Sequence, residues 1–164
     1  MYIVIGASSF IGVYTVDEFI KQGCEVTVTG RNNKFREHYD RLGVPYINLD
    51  LTEKKDFDKL PKEGVDGVIL LAGLLPANAQ VDLNTDENAA DYFEINTIGT
   101  INVLEYCRKN GIKRVISNCS YADVRGAWGK GVITEDEPRD FIYTGDHAVY
   151  VFSKNAANDV LEYY

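Results

Sequence analysis

Short apolar runs alternate with helical patterns along this 164-residue chain, and this alternation constrains the fold more than any other feature. Most of the runs are continuously apolar, which is typical of strands covered on both faces of a parallel sheet. Gly23 and Gly111 close two of the helical patterns. The sequence therefore predicts an α/β fold with a doubly wound parallel sheet. The predicted strands are residues 2–5, 25–29, 46–49, 68–71 and 114–117, and the main predicted helices are residues 12–22, 88–110 and 146–164.

Size and charge limit the partners of the chain. Its length suits one domain, and 45% hydrophobic and 26% charged residues are ordinary for a globular protein. A formal net charge of -8 repels phosphate backbones and anionic membranes, so we expect neither nucleic acid nor membrane as a partner. A local cluster of backbone N–H groups can nevertheless bind an anionic ligand.

The cysteines and the start of the chain indicate a reducing, cytoplasmic setting. Three cysteines and two histidines are scattered without the spacing of a disulfide framework or a metal site. The first apolar run follows no basic segment and breaks at Gly6, unlike a signal peptide. We therefore expect a cytoplasmic protein with no bound metal.

The turn from Gly6 to Gly12 follows the first predicted strand and opens the first helix. Small residues let a backbone approach a pyrophosphate, and a helix N-terminus offers N–H groups and partial positive charge. The alternative is a plain tight turn, but the position after the first strand of an α/β pattern favours a dinucleotide. The residues predicted to contact the cofactor here are Gly6, Ser8, Ser9, Phe10, Ile11 and Gly12.

Two long segments leave the carboxyl ends of the fourth and fifth predicted strands, at residues 72–86 and 121–145. Ligands of such sheets bind outside the carboxyl ends of the strands. Long loops inside compact domains are usually functional, so we expect both to border the site, the alternative being surface loops without a role.

The end of the second strand bears on the choice of cofactor. Gly30 stands where an acidic residue would bind the ribose of NAD, and residues 30–34 contain no carboxylate. Arg31 can instead pair with the 2′-phosphate of NADP. The sequence therefore favours NADP, and the alternative is a solvated basic turn. The residues that would assist Arg31 are Asn32, Lys34 and Arg36.

Tyr150 and Lys154 are four residues apart, so both lie on one face of the last predicted helix. A phenol with a pKa of about 10 is a weak base at neutral pH, and a nearby ammonium stabilises the phenolate. The pair is therefore a candidate for acid/base catalysis on a substrate hydroxyl, the alternative being a surface pair.

These motifs together resemble the extended short-chain dehydrogenase/reductases, also called the NAD-dependent epimerase/dehydratase family. The family's turn usually reads Gly-x-x-Gly-x-x-Gly, and Ser9 replaces the middle glycine, with a hydroxyl that could bond a phosphate oxygen. The last helix, with its Tyr-x-x-x-Lys pattern, follows the fifth strand as in the family. The resemblance extends over essentially all 164 residues and implies a Rossmann fold that binds NAD(P) over residues 1–164.

The resemblance also assigns roles at the strand ends. Ser120, with Ser117 as its competitor, matches the family's substrate-orienting hydroxyl. Asp50 matches the adenine-contacting acid and precedes Leu51, although Asp50 or Thr52 could instead cap a helix at residues 52–60. Ala72 and Gly73 match the small residues beside the adenosine ribose, Asn96 with Gly99 and Thr100 matches an Asn-x-x-Gly-Thr helix, and Glu135 with Pro138 matches a Glu-x-x-Pro segment.

The implied protein is an NAD(P)-dependent epimerase or reductase acting on a nucleotide-sugar. A dehydratase is disfavoured because Ser120-Tyr121-Ala122 replaces the family's Thr-Asp-Glu. The alternative is a sensor or scaffold that binds a dinucleotide without chemistry. Family members pair helices equivalent to residues 88–110 and 146–164 in a homodimer. They continue with further strands and a carboxyl-terminal substrate domain, so we expect a chain lacking both to bind cofactor with little turnover.

Overall fold

A computed structural model describes residues 1–31, 33–76, 89–120, 124, 129, 131–134, 136–139 and 148–164. Asn32, Tyr121, Ala122, Glu135 and most of the two predicted long loops lie outside the described residues. The strands are β1 (Tyr2–Ile5), β2 (Val26–Gly30), β3 (Tyr46–Asn48), β4 (Gly67–Leu70) and β5 (Val115–Ser117). The α-helices are α1 (Phe10–Lys21), α2 (Arg36–Arg41), α3 (Ala89–Tyr92), α4 (Gly99–Lys109) and α5 (Ala148–Tyr163).

All strand pairs of the sheet are parallel, in the order β3-β2-β1-β4-β5. This is the order of a doubly wound Rossmann sheet, which confirms the predicted fold class. β1 lies at the centre, with Ile5 in register with Thr29 on one side and Leu70 on the other. The carboxyl ends of β1, β2 and β4 therefore meet at one edge of the sheet.

Two apolar cores cover the faces of the sheet, because alternate side chains of each strand point to opposite faces. On one face, Val16 of α1 and Tyr39 of α2 pack against Val4 and Val28. On the other, Val103 of α4 packs against Ile3 and a group that includes Ile5, Val68, Leu70, Leu51 and Phe57. The strands β1, β2 and β4 are thus buried on both sides, as the sequence predicted. The same expectation is wrong for β5, the edge strand, where Ile116 is 56% exposed. Among the helices of the described residues, none combines the length and hydrophobicity that a membrane crossing requires.

The predicted helix at residues 88–110 is not one regular helix. A π-helical turn at Phe93–Ile98 separates α3 from α4. In this turn Asn96 and Thr97 are both buried, and both donate hydrogen bonds to Ser153 of α5. π-Helical turns are rare and often mark functional sites, and this one directs two consecutive polar side chains to the same neighbour.

Two further segments differ from the prediction. α2 has no counterpart among the predicted helices. Its apolar face consists mainly of Tyr39, which is fully buried, and one apolar residue gives no helical periodicity. The helix considered at residues 52–60 is a 3₁₀-helix at Lys54–Lys59, and its N-cap residue is Glu53, whose side chain makes no capping hydrogen bond. The alternative that Asp50 or Thr52 caps a helix is therefore wrong, since the Asp50 carboxylate bonds Thr52 in a local turn instead.

Candidate functional site

The turn after β1 brings the backbone of two strands close together. Gly6 has a φ of +91°, in the left-handed region that favours glycine. A Cβ added to Gly6 would lie 2.5 Å from the backbone nitrogen of Ala72, just beyond β4. The N–H groups of Gly6 and Ala7 donate to the Thr29 carbonyl at the end of β2, at 3.2 and 3.0 Å. The turn thus joins β1, β2 and β4, and at Gly6 the approach of Ala72 leaves no room for a side chain.

Ser9 is the N-cap of α1, and its hydroxyl oxygen accepts a hydrogen bond from the Gly12 N–H at 3.0 Å. The hydroxyl proton still has the capacity to donate to a phosphate oxygen. A Cβ on Gly12 would lie 2.3 Å from the Gly6 carbonyl oxygen, so glycine lets the helix start against the turn. The N–H groups of Phe10 and Ile11, in the exposed first turn, have no intrahelical partner. These features fit the pyrophosphate of a dinucleotide.

The basic residues that follow β2 have different surroundings. Arg31 is exposed next to Gly30, and Asn32 lies outside the described residues. Lys34 is exposed in a 3₁₀ turn. Arg36 is half-buried and donates to the Tyr46 carbonyl at 3.0 Å and to Asn33 Oδ1 at 3.2 Å. Of the predicted basic residues, Arg31 and Lys34 are therefore exposed, whereas Arg36 is bonded to the Tyr46 carbonyl and to Asn33.

The Asp50–Leu51 turn at the end of β3 is fixed by side chains that sequence reasoning missed. Asp56 Oδ2 accepts from the Asp50 N–H at 2.9 Å, and Asn102 donates to the Leu51 carbonyl at 2.8 Å. A Cβ on Gly99 would lie 2.8 Å from the Leu51 Cβ, so α4 packs directly on the turn. Hydrogen bonds from Lys59 and from the Asp50 N–H lower the pKa of the Asp56 carboxyl.

A buried polar network links the end of β4 to the last helix. Asn96 Oδ1 accepts from the Leu74 N–H at 2.7 Å, and its Nδ2 donates to the Leu74 carbonyl at 3.1 Å and to Ser153 Oγ at 3.0 Å. Thr97 Oγ1 donates to the Ser153 carbonyl at 2.9 Å. A Cβ on Gly73 would lie 3.1 Å from Asn96 Oδ1, so Ala72-Gly73 passes close to this network. Ser153 was missed because a lone serine in a helical pattern carries no signal of its own.

Lys154 is buried, and its ammonium donates to the Asn118 carbonyl at 2.9 Å, just beyond β5. Tyr150 lies one helical turn before it and is half-buried. The ring of Tyr150 contacts that of Tyr92 edge-on, with centroids 6.2 Å apart. Burial, and secondarily Tyr150, raise the pKa of Tyr92.

Ser120 and its competitor Ser117 occupy different positions. Ser117 is the last residue of β5 and is in register with Leu70, whereas Ser120 is half-buried three residues further on. The loop carrying Ser120 is therefore the one to which the Lys154 ammonium is bonded through Asn118. The structure thus brings this loop and α5 together at the carboxyl edge of the sheet.

Comparison with known proteins places this arrangement in a family. The model of the NAD-dependent epimerase/dehydratase family matches residues 2–164. A UDP-glucose 4-epimerase of Pisum sativum is 31% identical over 146 residues, which cover 82% of this chain and 40% of the pea protein. A UDP-N-acetyl-alpha-D-glucosaminuronate decarboxylase of Bacillus cytotoxicus is 28% identical over 144 residues, which cover 86% of this chain and 41% of the decarboxylase.

A solved structure agrees with the sequence comparisons. The UDP-glucose 4-epimerase of Thermus thermophilus, in complex with NAD, is 25% identical and has a TM-score of 0.80. The likeness covers 99% of this chain and 50% of that one, so the chain spans half or less of the length of these relatives. The family match extends over nearly the whole chain, and the strand order is that of a Rossmann sheet. The chain therefore belongs to the NAD-dependent epimerase/dehydratase family.

Proposed function

We propose that this chain is the dinucleotide-binding part of an NAD(P)-dependent enzyme that epimerises or reduces a nucleotide-sugar. The relatives support this proposal, because two of them are named as UDP-glucose 4-epimerases and one as a UDP-sugar decarboxylase. A bound nicotinamide would supply the redox chemistry, taking a hydride from a substrate carbon and giving it back. The chain's own residues hold the dinucleotide and move the proton.

One observation carries the proposed catalysis: the buried ammonium of Lys154 is fixed one helical turn from Tyr150. A cation held close to a phenol favours the phenolate and so lowers the pKa of the phenol. Tyr150 then takes the proton of a substrate hydroxyl, or returns it, as the hydride moves. Ser120 orients the same substrate oxygen through its hydroxyl.

The proposed cofactor-binding residues lie along the same carboxyl edge of the sheet. The first turn of α1, with Ser8 and Ser9, holds the pyrophosphate, and the Asp50–Leu51 turn holds the adenine. Ala72-Gly73 lies along the adenosine side, and Asn96 fixes the backbone that follows it. Tyr150 and Lys154 complete the set at the nicotinamide end.

The preferred cofactor is NADP. Arg31 is exposed beside Gly30, and its guanidinium has the charge and geometry to pair with a 2′-phosphate. The absence of a carboxylate in residues 30–34 removes the group that would bind the free 2′-hydroxyl of NAD. Thermal shifts test this preference: NADP should stabilise the protein more than NAD at equal concentration, and a larger shift with NAD would contradict it.

The proposed assembly is a homodimer formed by α4 and α5. Apolar side chains on and just before these helices are partly exposed, with Ile98 at 46% and Phe152 at 42%. Light scattering coupled to size exclusion should give twice the mass of one chain, and introducing a charge by Phe152→Glu should yield monomers. A monomeric wild-type protein would refute this assembly.

The test of the catalytic proposal is Tyr150→Phe in the full-length protein. Removing the hydroxyl should lower turnover by about two to four orders of magnitude, because proton transfer loses its acid and base. Cofactor affinity should stay within about twofold of wild type, since the ring remains. Absorbance at 340 nm follows net reduction, and sugar product is assayed as well because an epimerase returns its cofactor to the starting state.

The matched control is Tyr163→Phe, which removes a hydroxyl from the same helix at a residue that is 85% exposed. This variant should turn over like wild type. Unchanged turnover in Tyr150→Phe would remove Tyr150 from the mechanism. Binding of the dinucleotide by wild type, with no redox change or product on any UDP-sugar, would instead favour the sensor.

A further inference from the structure

Tyr92 is buried at the point where the π-helical turn begins. It is the last residue of α3, and it is 1% exposed. Its hydroxyl has no hydrogen-bond partner among the residues that the structure describes. The large majority of buried hydroxyls are hydrogen-bonded, and one without a partner lowers stability relative to a phenylalanine in the same place. Packing of the ring, rather than a hydrogen bond of the hydroxyl, therefore holds Tyr92 in position.

The ring of Tyr92 packs on the ring of Tyr150. The two centroids lie 6.2 Å apart and the two planes meet at 71°, which makes an edge-to-face pair. Aromatic rings favour this geometry because the positive edge of one ring attracts the negative face of the other. Tyr92 is fully enclosed, whereas Tyr150 is half-buried. The Tyr92 ring is therefore the fixed partner, and the Tyr150 ring is the one that it orients.

The next contact along the same segment holds the main chain of Tyr150. Asn96 Nδ2 donates to Ser153 Oγ at 3.0 Å, and Ser153 Oγ donates to the Tyr150 carbonyl at 2.7 Å. Asn96 lies in the π-helical turn that follows Tyr92 directly, so one continuous segment holds both the ring and the carbonyl of Tyr150. The position of the Tyr150 phenol relative to Lys154, one helical turn further along α5, therefore depends on this segment.

We infer that Tyr92 is a positioning residue for proton transfer, whose buried ring holds the phenol of Tyr150 beside the Lys154 ammonium. The inference rests on the catalytic role proposed for Tyr150 above and adds what orients that residue. Burial, and secondarily Tyr150, raise the pKa of Tyr92, so Tyr92 keeps its proton at neutral pH and does not act as the base itself. Tyr150 thus has Lys154 on α5 as a charged neighbour and Tyr92 on α3 as a neutral one.

The experiment follows the ionisation of Tyr150 in the full-length protein. Tyrosine labelled isotopically at Cζ reports the phenolate by NMR, and the Tyr150 resonance is the one that Tyr150→Phe lacks. In wild type this resonance should titrate below the ordinary tyrosine pKa of about 10, because the Lys154 ammonium favours the phenolate. Tyr92→Leu removes the ring and should move the midpoint about one pH unit higher. Turnover of UDP-glucose should fall about tenfold in the same variant, because the phenol is misplaced.

Tyr92→Phe is the conservative variant, since it keeps the ring and removes a hydroxyl that has no partner in the described part of the chain. It should restore the wild-type midpoint and turnover, with a melting temperature equal to that of wild type or higher. Tyr106→Leu is the control for lost packing: Tyr106 is 5% exposed, and its ring pairs with that of Phe57. This control should lower the melting temperature without moving the Tyr150 midpoint.

Tyr92→Met covers the case in which Tyr92→Leu does not fold, because a flexible methionine fills the space without a ring and should move the midpoint in the same direction. An unchanged midpoint in the folded Leu or Met variant would overturn the inference. An equal shift in Tyr92→Phe or in Tyr106→Leu would also overturn it, since the ring of Tyr92 would then not be the cause. A wild-type Tyr150 that titrates at or above the ordinary value would refute the catalytic proposal itself. A low wild-type midpoint that Tyr92→Leu leaves in place would refute only the role of Tyr92.

Discussion

The two halves of the proposed site are held together in opposite ways. In the proposed adenosine half, at the ends of β1, β2 and β4, Gly6, Gly12 and Gly30 stand where any Cβ would collide with a neighbour. In the proposed catalytic half, beyond β4 and β5, the contacts are hydrogen bonds of buried side chains: Asn96 and Thr97 to Ser153, and Lys154 to Asn118.

This difference follows from what each half has to hold. A pyrophosphate is bound by backbone N–H groups, so the adenosine half needs close approach of main chains and tolerates no added atom. The catalytic half has to fix two side chains on α5, and side-chain positions are set by packing and hydrogen bonds. Added atoms should therefore damage the first half, and removed atoms should damage the second.

Gly6→Ala should have the largest effect on stability. The new Cβ would lie 2.5 Å from the Ala72 backbone nitrogen, and the φ of +91° is unfavourable for alanine. We expect the free energy of unfolding to fall by about 3 kcal/mol, with loss of dinucleotide binding. Urea denaturation and calorimetry measure the two effects.

Gly23→Ala separates the cost of a positive φ from the cost of a steric collision. Gly23 also has a positive φ, +68°, but a Cβ there would have no heavy atom within 4 Å. This variant should lose about 1 kcal/mol and retain cofactor affinity. Equal losses in the two variants would mean that the approach of Ala72 is unimportant.

Asn96→Ala tests the opposite half by removing atoms. It leaves the Leu74 N–H and carbonyl and the Ser153 hydroxyl without their Asn96 bonds. We expect a loss of about 2 kcal/mol in the free energy of unfolding, and a fall in turnover larger than the fall in cofactor affinity. The turnover of the full-length protein and its affinity for NADP are measured side by side.

The control is Asn110→Ala at the end of α4. The Asn110 amide donates to the Tyr106 carbonyl of its own helix at 2.8 Å, so its removal affects no other element. A loss below about 1 kcal/mol with unchanged turnover is expected. If Asn96→Ala behaved like this control, the network would have no part in holding α5.

The same comparison explains what the sequence could predict. The parallel strands, the turn at Gly6 and the Tyr150–Lys154 pair depend on residues close together in the chain, and hydrophobic periodicity or fixed spacing identifies them. The bonds that hold the site join distant residues. Asn96 and Ser153 are 57 positions apart, and Asn102 and the Leu51 carbonyl are 51 apart.

The π-helical turn shows the physical reason. Apolar periodicity predicts a continuous helix across residues 88–110, because residues 93–98 (FEINTI) contain no Gly or Pro and their weak helix formers lower the helix propensity only slightly. Packing of Asn96 and Thr97 against α5 is a tertiary contact that outweighs this small propensity difference. Tyr46 is a similar case, since its position beside Gly30 depends on the pairing of β2 with β3.

Asn102→Ala should sharpen the comparison within the adenosine half, because here a buried side chain supports a binding turn. Loss of its bond leaves the Leu51 carbonyl without this donor, at an expected loss of about 1 kcal/mol. Affinity for ADP should fall severalfold, whereas binding of nicotinamide mononucleotide, which lacks adenine, should not change. An equal fall in the affinities for both ligands would show a general structural effect rather than a role at the Asp50–Leu51 turn.

Asp56→Asn should have the smallest effect on stability. The pH dependence of this effect shows whether the charge of Asp56 causes it. Hydrogen bonds from Lys59 and from the Asp50 N–H lower the pKa of the Asp56 carboxyl in the folded state. At a pH between the folded and the unfolded pKa of Asp56, the folded protein therefore binds fewer protons than the unfolded chain. The stabilisation is complete above the unfolded pKa, about 3.9, and is lost as the pH falls through the lower folded pKa.

Wild type should be more stable than Asp56→Asn by less than about 1 kcal/mol at pH 7, since the partner Lys59 is half exposed. The difference should shrink as the pH falls below about 4, because protonated Asp56 no longer attracts Lys59. Urea denaturation at pH 7, 5 and 3 measures it, with Glu53→Gln, in an exposed pair with Lys55, as the control. A difference that stayed constant down to pH 3 would show that Asp56 holds the Asp50–Leu51 turn through shape rather than charge. In that case neither the close glycine contacts nor Asp56 would stabilise the adenosine half through charge.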